Sequence, residues 1–465
     1  MGQLADFLWN PWLLGLFLLT GLFYSLGSGF FQLFELRLWV RATFGSLFEM
    51  SSPTGGGLSS FQALATALAS TMGTGSIAGV ATALTLGGPG AIFWMWVSAF
   101  LGMMTGCAEK LLSVRYQQST PEGGLQGGPM FYLRDGAECP LLAIWFSLAC
   151  LPATLTGGNL VQSSSIATSL EAAFGVDRLL VGVVTALLAW LVMVGGLGRI
   201  ASVSSALVPA MALLYLGSGA VVLVCRAFAL PEAFRLIFTC ALSPAAAFGG
   251  GAGWTVATAL RYGVARGVFT NEAGLGTSAM AHGAARVNHP ARQGMWGIFE
   301  VFLSTLVVCT VTALVILASG IWPSSAPAQL SGAPLAAAAF GSVLGSAGER
   351  VVALSLLLFA FSSILGWSYY GQQCLRYLIG SDRLLPAYRI VFLACIPIGA
   401  LWDPVLIWQL VDLCNALMAL PNLAALILLL PQALDLLAQW SRNQTLSRGQ
   451  PSHRRNCKTR SHYGM

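Results

Sequence analysis

The chain has 465 residues, of which 56% are apolar and only 9% are charged, whereas an ordinary soluble domain has roughly 25% charged residues. A soluble fold cannot bury that much apolar surface. The composition therefore excludes an ordinary cytosolic enzyme, a nucleic-acid-binding domain and a secreted disulfide scaffold. The apolar runs are long and continuous, which predicts an all-α polytopic membrane protein.

Apolar stretches of about 20 residues mark the predicted spanning helices. Ten of them are bounded by charges, glycine or proline, near residues 11–34, 59–84, 89–112, 140–168, 179–197, 203–225, 291–319, 351–375, 388–402 and 404–430. The stretch 233–285 is too long for one span at about 1.5 Å per residue. We interpret it as one discontinuous span with a short extra segment, which gives about eleven spans in total.

The distribution of basic residues predicts the orientation in the membrane. If the N-terminus lies outside, 19 of the 23 Lys and Arg residues fall on the cytoplasmic side when Arg261 and Arg266 of the ambiguous stretch are counted there, and 17 against four when those two are left out. The positive-inside rule therefore predicts an external N-terminus and a cytoplasmic C-terminus. Residues 441–465 hold six of these basic side chains and no acid, which is typical of a disordered tail rather than a nucleic-acid site.

The number of spans predicts an internal repeat. Setting the first span aside leaves two groups of five, and an odd number of spans inverts the second group relative to the first. The predicted division is an extra N-terminal transmembrane helix with a cytoplasmic linker over residues 1–50, a first repeat over 51–226, an inverted second repeat over 227–432, and a basic cytoplasmic tail over 433–465.

The segment Gly73-Thr74-Gly75-Ser76 lies inside an otherwise apolar span. Two glycines around a threonine favour local unwinding, which a membrane protein tolerates where the freed backbone groups line a polar cavity. Freed N–H groups can bind a carboxylate, and freed carbonyls can coordinate a small cation. Close helix packing through small residues explains this segment about equally well.

Two positions in the second half could carry the corresponding break. One is Gly249-Gly250-Gly251, and the other is residues 271–276, which begin with Asn271 and read NEAGLG. The second is slightly favoured, because an amide, a carboxylate and two glycines suit a ligand better. A cytoplasmic loop at 271–276 is the alternative.

Other polar side chains inside the predicted spans have both a functional and a structural interpretation. Gln162 can hydrogen-bond a substrate amine or carboxylate, although hydrogen bonding between helices is at least as common. Ser362 and Ser363 can contribute oxygens to a sodium site, or bond back to their own helix. Trp367 is either a pocket wall or an ordinary core residue.

Two acids, Glu300 and Asp412, lie within apolar spans, so each is a candidate cation or proton site. The ten cysteines are scattered and the four histidines form no metal or nucleophile pattern. The sequence therefore predicts no enzyme and no cofactor beyond a coupling ion.

Residues 87–102, GGPGAIFWMWVSAFLG, resemble the signature of the sodium:alanine/glycine symporter family. Five further blocks resemble the same family in the same order: GTGSIAGVA (73–81), GGPMFYL (127–133), RYGVARGVFTNEAGLGTSAMAHGAA (261–285), FAFSSILGWSYYGQQCLRYLIG (359–380) and MALPNLAALILL (418–429). The resemblance covers roughly residues 55–430.

The resemblance implies a leucine-transporter-like fold with inverted five-helix repeats and discontinuous helices. It implies sodium- or proton-coupled import of small neutral amino acids, chiefly alanine and glycine, by alternating access across a bacterial inner membrane. The implied substrate contacts, together with Asn271 from the favoured second break, are Gly73, Thr74, Gly75, Ser76, Gly157, Gln162, Ser363 and Trp367. The implied sodium ligands are Gly73, Ser362 and Ser363.

One residue departs from the family pattern. The family usually carries Asn where this chain has Ser76, and a hydroxyl is shorter than an amide. The exact substrate and the coupling ion are therefore open, and the alternative is a proton-coupled carrier of another small zwitterion. An ion channel, from a different class, is less favoured because a channel usually has symmetric repeats around a pore, whereas this chain shows two broken helices in one subunit.

Overall fold

The computed structural model describes residues 8–47, 57–120, 123–242, 255–322, 330–402 and 404–449. The candidate break at Gly249–Gly251 lies outside these residues. The elements of the first half are α1 (Pro11–Gly27), α2 (Phe31–Phe34), α3 (Leu36–Leu47), α4 (Ser60–Thr71), α5 (Ala78–Gly87), α6 (Gly90–Arg115), β1 (Gln118–Ser119), β2 (Leu125–Gln126), α7 (Pro129–Phe131), α8 (Pro140–Leu155), α9 (Val161–Phe174), α10 (Arg178–Met193) and α11 (Gly196–Cys225).

The second half is entirely helical in the part that the structure describes. Its elements are α12 (Leu230–Leu242), α13 (Val256–Asn271), α14 (Thr277–His282), α15 (Pro290–Val301), α16 (Thr310–Ala318), α17 (Ala333–Leu344), α18 (Ser346–Ile379), α19 (Leu385–Leu401), α20 (Pro404–Leu428) and α21 (Leu430–Gly449). A π-helical turn joins α8 to α9 over Thr156–Leu160, and another joins α15 to α16 over Phe302–Cys309.

The number of membrane crossings agrees with the sequence prediction. Among the described residues, seven helices are long and apolar enough to span a membrane. The shorter helices α1 and α10 and the broken pairs α4–α5 and α13–α14 bring the crossings to eleven. The ambiguous stretch 233–285 contains one broken helix, α13–α14, and the short helix α12.

The outer helices present an apolar surface that only a lipid environment accommodates. Leu213 and Val224 of α11 are each 76% exposed, and Leu141 of α8 is 80% exposed. A soluble monomer rarely carries such contiguous apolar patches. The chain is a multi-pass membrane protein with this surface facing the acyl chains.

The structure also contains helices that the span analysis leaves out. The predicted first span ends early because Phe30 adopts a left-handed conformation, with φ of 55°. The helix α17 is itself rich in alanine and is too short to span. The helix α21 continues to Gly449, into the segment predicted to be disordered, because Leu437 and Trp440 bury their side chains against the rest of the protein.

Local sequence determines where the helix before the first break begins. Ser59 accepts a hydrogen bond from the backbone of Gln62, and the Gln62 side chain accepts one from the backbone of Ser59, at 3.1 Å each. This reciprocal pair satisfies two of the donors that a helix N-terminus leaves unpaired. It fixes α4 as a separate half-helix that runs toward the glycines at 73 and 75.

The helix α6 forms the main support of the broken helix α13, since the two pack along each other. A methyl group added at Gly263 of α13 would collide with the backbone carbonyl of Ala91, next to α6 residue Trp94, whose Cβ would be 2.8 Å away. Glycine is therefore required there, because a larger residue would push the two helices apart.

Replacing Gly263 by Ala is expected to lower the melting temperature of the detergent-purified protein by several degrees, because overpacking costs roughly 1–3 kcal/mol. The matched control is Gly79→Ala in α5, where an added methyl group meets nothing within 4 Å. That control should melt at or above the wild-type temperature, since alanine favours helix by about 1 kcal/mol. Equal losses in the two variants would contradict the packing account.

Candidate functional site

The first helix break lies between α4 and α5, at the segment where the sequence suggests unwinding. A short 3₁₀ turn covers Thr74–Ser76. It is closed by the backbone bond from Ser76 N–H to Gly73 C=O, at 3.2 Å, and by that from Ile77 N–H to Thr74 C=O, also 3.2 Å. The residues of the turn are buried, so the unwound backbone lies inside the protein.

Gln162 of α9 reaches the unwound backbone. Its Oε1 accepts a hydrogen bond from the N–H of Thr74 at 3.2 Å. Its Nε2 donates to the carbonyl of Gly157, in the π-helical turn, at 2.9 Å. The amide therefore joins the first break to the turn between α8 and α9, so Gly73, Gln162 and Gly157 do meet.

Ser363 of α18 closes over the same backbone from the other side. A Cβ placed on Gly73 would lie 2.5 Å from Ser363 Oγ and 3.0 Å from Gln162 Oε1. A side chain at position 73 would therefore displace the Ser363 hydroxyl or the Gln162 amide from the unwound backbone.

The paired serines of α18 bind the free end of α4. Ser362 Oγ lies 2.9 Å from the Ala69 carbonyl and 2.8 Å from the Phe359 carbonyl of its own helix, so it can donate to either one. Ser363 Oγ lies 3.0 Å from the Ala69 carbonyl and 2.9 Å from that of Ser70. These carbonyls lie in the last turn of the half-helix, where intrahelical partners run out. Two hydroxyl and two carbonyl oxygens thus lie together, a ligand set that suits a hard cation.

Two hydroxyls in the first break have no protein partner. Thr74 Oγ1 and Ser76 Oγ are buried and make no hydrogen bond among the described residues. The backbone of Ser76 is satisfied, since its carbonyl accepts a bond from Thr312 Oγ1 at 2.8 Å. A buried hydroxyl left without a partner costs about 1–3 kcal/mol, which a bound polar ligand would recover.

Aromatic side chains wall the site, and most of them were not identified from the sequence. Phe269 of α13 would lie 2.9 Å from a Cβ on Gly75 and 3.7 Å from one on Gly157. Its ring packs edge to face on Trp408 with centroids 4.9 Å apart. The predicted wall residue Trp367 packs directly against Gly158. An aromatic residue in an apolar span gives no sequence signal that separates a pocket wall from core.

An ion pair lies one helical turn from this wall. Arg266 Nη1 and Nη2 bind the two carboxylate oxygens of Asp412 at 3.2 and 3.0 Å. The Arg266 guanidinium also lies 4.6 Å from the centre of the Trp408 ring. Asp412, one of the two intramembrane acids that the sequence identifies, is therefore held by an arginine.

The second helix break lies between α13 and α14, at residues 272–276, the position that the sequence slightly favours. Glu272, Gly274 and Gly276 have φ angles of 56°, 93° and 77°. Glycine adopts such angles without steric cost, which explains the spacing of the two glycines. The Thr277 hydroxyl donates to the Glu272 carboxylate and fixes its side chain.

Protein side chains satisfy the backbone of this second break. Glu109 Oε1, from α6, accepts bonds from the N–H groups of Gly274 and Gly276 at 2.9 and 3.0 Å. Asn422 of α20 donates to the same oxygen at 2.8 Å and to the Gly274 carbonyl at 2.9 Å. The second break is therefore filled by the protein itself.

Asn271, a predicted substrate contact, serves this second break. Its Oδ1 accepts a bond from the backbone of Ala273 at 3.0 Å. Its Nδ2 donates to Thr305 Oγ1 at 3.2 Å. Both ends of the amide are engaged by protein groups, unlike the hydroxyls of Thr74 and Ser76.

Comparison with known proteins agrees with this arrangement. A sequence profile described as the sodium:alanine symporter family matches residues 1–454. The chain is 42% identical over 428 residues to the sodium/alanine symporter AgcS of Methanococcus maripaludis, covering 91% of this chain and 93% of that protein. It is 34% identical over 447 residues to the probable sodium/glutamine symporter GlnT of Bacillus subtilis, covering 96% and 91% of the two chains.

Solved structures show the same fold at low sequence identity. A Na⁺-coupled sialic acid symporter, in a substrate-bound outward-open state, superposes with a TM-score of 0.52 at 15% identity, covering 86% of this chain and 82% of that one. A manganese transporter of Eremococcus coleocola superposes with a TM-score of 0.50 at 17% identity, covering 81% and 78%.

The chain belongs to the sodium:alanine symporter family. Its fold is the leucine-transporter-like arrangement of inverted repeats with discontinuous helices that the sequence predicts. It is a secondary transporter for sodium-coupled amino-acid symport, not an enzyme.

Proposed function

We propose that this family member imports alanine and other small neutral amino acids such as glycine, together with sodium, by binding them at the first helix break. The observation that carries the proposal is the buried Thr74 Oγ1 in the unwound turn, which makes no hydrogen bond among the residues that the structure describes. Ser76 Oγ, in the same turn, has only the Cys309 thiol beside it. A buried hydroxyl gains free energy when a polar ligand pairs it.

The substrate carboxylate would bind the turn Thr74–Ser76. This turn opens α5, whose positive end favours an anion. The N–H groups of Thr74 and Ser76 already bond to Gln162 and Gly73, so the carboxylate would bind mainly through the Thr74 hydroxyl and the helix dipole. The Thr74 hydroxyl would donate to the carboxylate, while Gly73 and Gly75 let the backbone approach it. The Gln162 amide, which already bonds to the N–H of Thr74, would contact the bound amino acid beside Asn271 at the end of α13.

The walls of the site favour a small side chain. Val411 would lie 3.4 Å from a Cβ on Gly157, and the Phe269 ring lies just beyond it. Trp367 is packed against Gly158 and has no room to withdraw in that direction. A methyl group fits against such walls, which favours alanine or glycine over the glutamine named for the Bacillus subtilis relative.

Sodium would bind between α4 and α18. The ligands would be the hydroxyls of Ser362 and Ser363 and the carbonyls that they now contact, Ala69 and Ser70, with Gly73 adjacent. A cation among these oxygens would hold the end of α4 against α18. That would fix the geometry of the neighbouring break, so sodium binding would increase the affinity for the amino acid.

Transport would proceed by alternating access in a bacterial inner membrane. The positive-inside distribution favours an external N-terminus and a cytoplasmic C-terminus. In that orientation the Arg266–Asp412 pair lies on the external side of the site, where its opening and closing would control entry. The alternative is a proton-coupled carrier of another small zwitterion, since Ser76 stands where the family usually has Asn.

Replacing Thr74 by Val is expected to raise the KM for sodium-driven alanine uptake about tenfold or more, because one buried hydrogen bond to a charged ligand is worth about 1.5–3 kcal/mol. Valine keeps the shape of threonine, so the fold should be retained. The measurement is uptake of labelled alanine by proteoliposomes, with an inward gradient of sodium or of potassium.

The matched control for this variant is Thr82→Val in α5, whose hydroxyl bonds back to Ala78 of its own helix at 2.8 Å. The control should transport like the wild type, and uptake should require sodium in both. Unchanged alanine KM in Thr74→Val, or no alanine uptake by the wild type under any gradient, would contradict the proposed substrate site.

Replacing Ser363 by Ala is expected to raise the sodium concentration needed for half-maximal uptake severalfold, since it removes one proposed ligand. The control is Ser368→Ala on the same helix, whose hydroxyl bonds only to Leu365 of its own helix in the described contacts, at 2.7 Å. Sodium titrations of alanine uptake distinguish the two. The same sodium dependence in both variants would argue against a cation at these serines.

A further inference from the structure

A second polar cluster, outside the proposed substrate site, lies where α6, α14 and α15 meet. Its members are Glu109, Lys110, His282, Gln293 and Glu300, all with no exposed surface. Lys110 Nζ lies 3.3 Å from Glu109 Oε2 and 3.5 Å from Glu300 Oε2. His282 Nε2 lies 3.2 Å from the same oxygen of Glu300.

The charges of this cluster do not balance while the histidine is neutral. Glu109 and Glu300 are acids and Lys110 is the base between them, which leaves one negative charge in excess. Glu272, which interacts electrostatically with Lys110 and is bonded to Thr277, adds to the excess if it is ionised. A net charge buried in a low-dielectric interior costs several kcal/mol. One added proton would neutralise the group of Glu109, Lys110, His282 and Glu300.

The hydrogen-bond geometry around His282 suits a neutral ring when the Gln293 amide is oriented as in this structure. Gln293 Nε2 lies 2.8 Å from His282 Nδ1. An amide nitrogen can only donate, so Nδ1 is the acceptor nitrogen of a neutral ring. The hydrogen of the ring is then on Nε2, from which it is donated to Glu300 Oε2.

The surroundings also provide for the protonated ring. Gln293 Oε1 has no hydrogen-bond partner among the described residues, although it is buried. Rotation of the amide by half a turn would place this oxygen against Nδ1. The oxygen would break no hydrogen bond by moving, because it makes none among the described residues. It would then accept the new hydrogen of an imidazolium, which donates from both nitrogens.

Ser278 also lies beside the Glu300 carboxylate, close enough to hydrogen-bond to it. Ser278 precedes His282 by four residues in α14, so the two side chains lie on the same face of that helix. His282 therefore contacts a buried carboxylate and has the Gln293 oxygen as a spare acceptor, which is what a proton-binding site needs.

We propose that His282, with Glu300 and Gln293, is a binding site for one proton, and that this site is linked to the second helix break. Lys110 is the link, because it contacts both Glu300 and Glu109. Glu109 in turn holds the backbone of Gly274 and Gly276. A proton on His282 would weaken the attraction between Glu300 and Lys110, so the attraction between Glu109 and Lys110 would become stronger.

The charged and titratable groups that face His282 and Glu300 come from several elements. Lys110 and Glu109 lie on α6 and Glu272 lies in the second break. Tyr132 follows α7 and is bonded to Asn422, which itself binds Glu109. Lys110 is the nearest cation, and its positive charge opposes protonation of His282. The proton would bind because the negative charges of Glu109 and Glu300 together exceed that of Lys110.

The test is a pH titration of the full-length protein in detergent, with ¹³C-labelled histidine and NMR detection. One resonance, absent from His282→Gln, should change from the neutral to the protonated position between about pH 5 and about pH 9. If His282→Gln does not fold, substituting the other three histidines singly assigns the fourth resonance. A resonance that stays neutral over the whole range would overturn the proposal.

A second variant separates proton binding from a merely structural role. In Gln293→Leu the protonated ring has no acceptor for its Nδ1 hydrogen, so the midpoint should fall by about one unit or more, a tenfold loss of proton affinity. His289→Asn is the matched control, because Asn can keep the helix cap that His289 forms with Ala291. An unchanged midpoint in Gln293→Leu would also overturn the proposal.

The same titration in sodium and in potassium chloride separates this site from the proposed sodium site. The cluster shares no residue with the proposed sodium ligands, so the midpoint should be the same in the two salts. Loss of the titration in sodium chloride alone would show that sodium occupies this cluster and would overturn the proposal.

Discussion

Breaking a helix inside a membrane leaves backbone N–H and C=O groups that neither water nor lipid can satisfy. The structure depends on which groups form hydrogen bonds with the backbone at each of its two breaks. At the second break a buried carboxylate resolves it, since Glu109 accepts from both Gly274 and Gly276. At the first break the described residues supply fewer partners: the Thr74 hydroxyl has none among them, and the Ser76 hydroxyl has only the Cys309 thiol beside it. The two breaks therefore have different roles, one structural and one proposed for ligand binding.

The buried carboxylate explains the charged cluster that surrounds it. A single ionised Glu109 in the membrane interior would be costly, so Lys110 lies beside it at 3.3 Å. Lys110 also contacts Glu300, and Glu300 contacts His282. The cluster thus extends from the second break to the start of the loop after α14, and a change of charge at one end can reach the backbone at the other.

Sequence patterns predicted the broken helices better than they predicted the contacts around them. Glycines beside polar residues in an apolar span mark a break, and Gln162, Ser362 and Ser363 do lie against the first one. The wall formed by Phe269 and Trp408 was not predicted, because an aromatic side chain looks the same in a core and in a pocket.

Long-range pairing explains the remaining differences between the sequence predictions and the structure. Asp412 is bonded to Arg266, 146 residues away, and Glu109 to backbone at 165 and 167 residues' separation. Such partners cannot be identified from spacing along one sequence. Asn271 stays a predicted substrate contact, and the bonds of its amide to Ala273 and Thr305 were not predicted.

Hydrogen–deuterium exchange measured at both breaks, with and without sodium and alanine, tests the difference between them most directly. Peptides covering residues 271–277 should be protected without ligands and unchanged when they are added. Peptides covering residues 70–78 should exchange faster at first and become protected only when sodium and alanine are both present. Ligand-dependent protection at 271–277 with none at 70–78 would contradict the assignment of the two breaks.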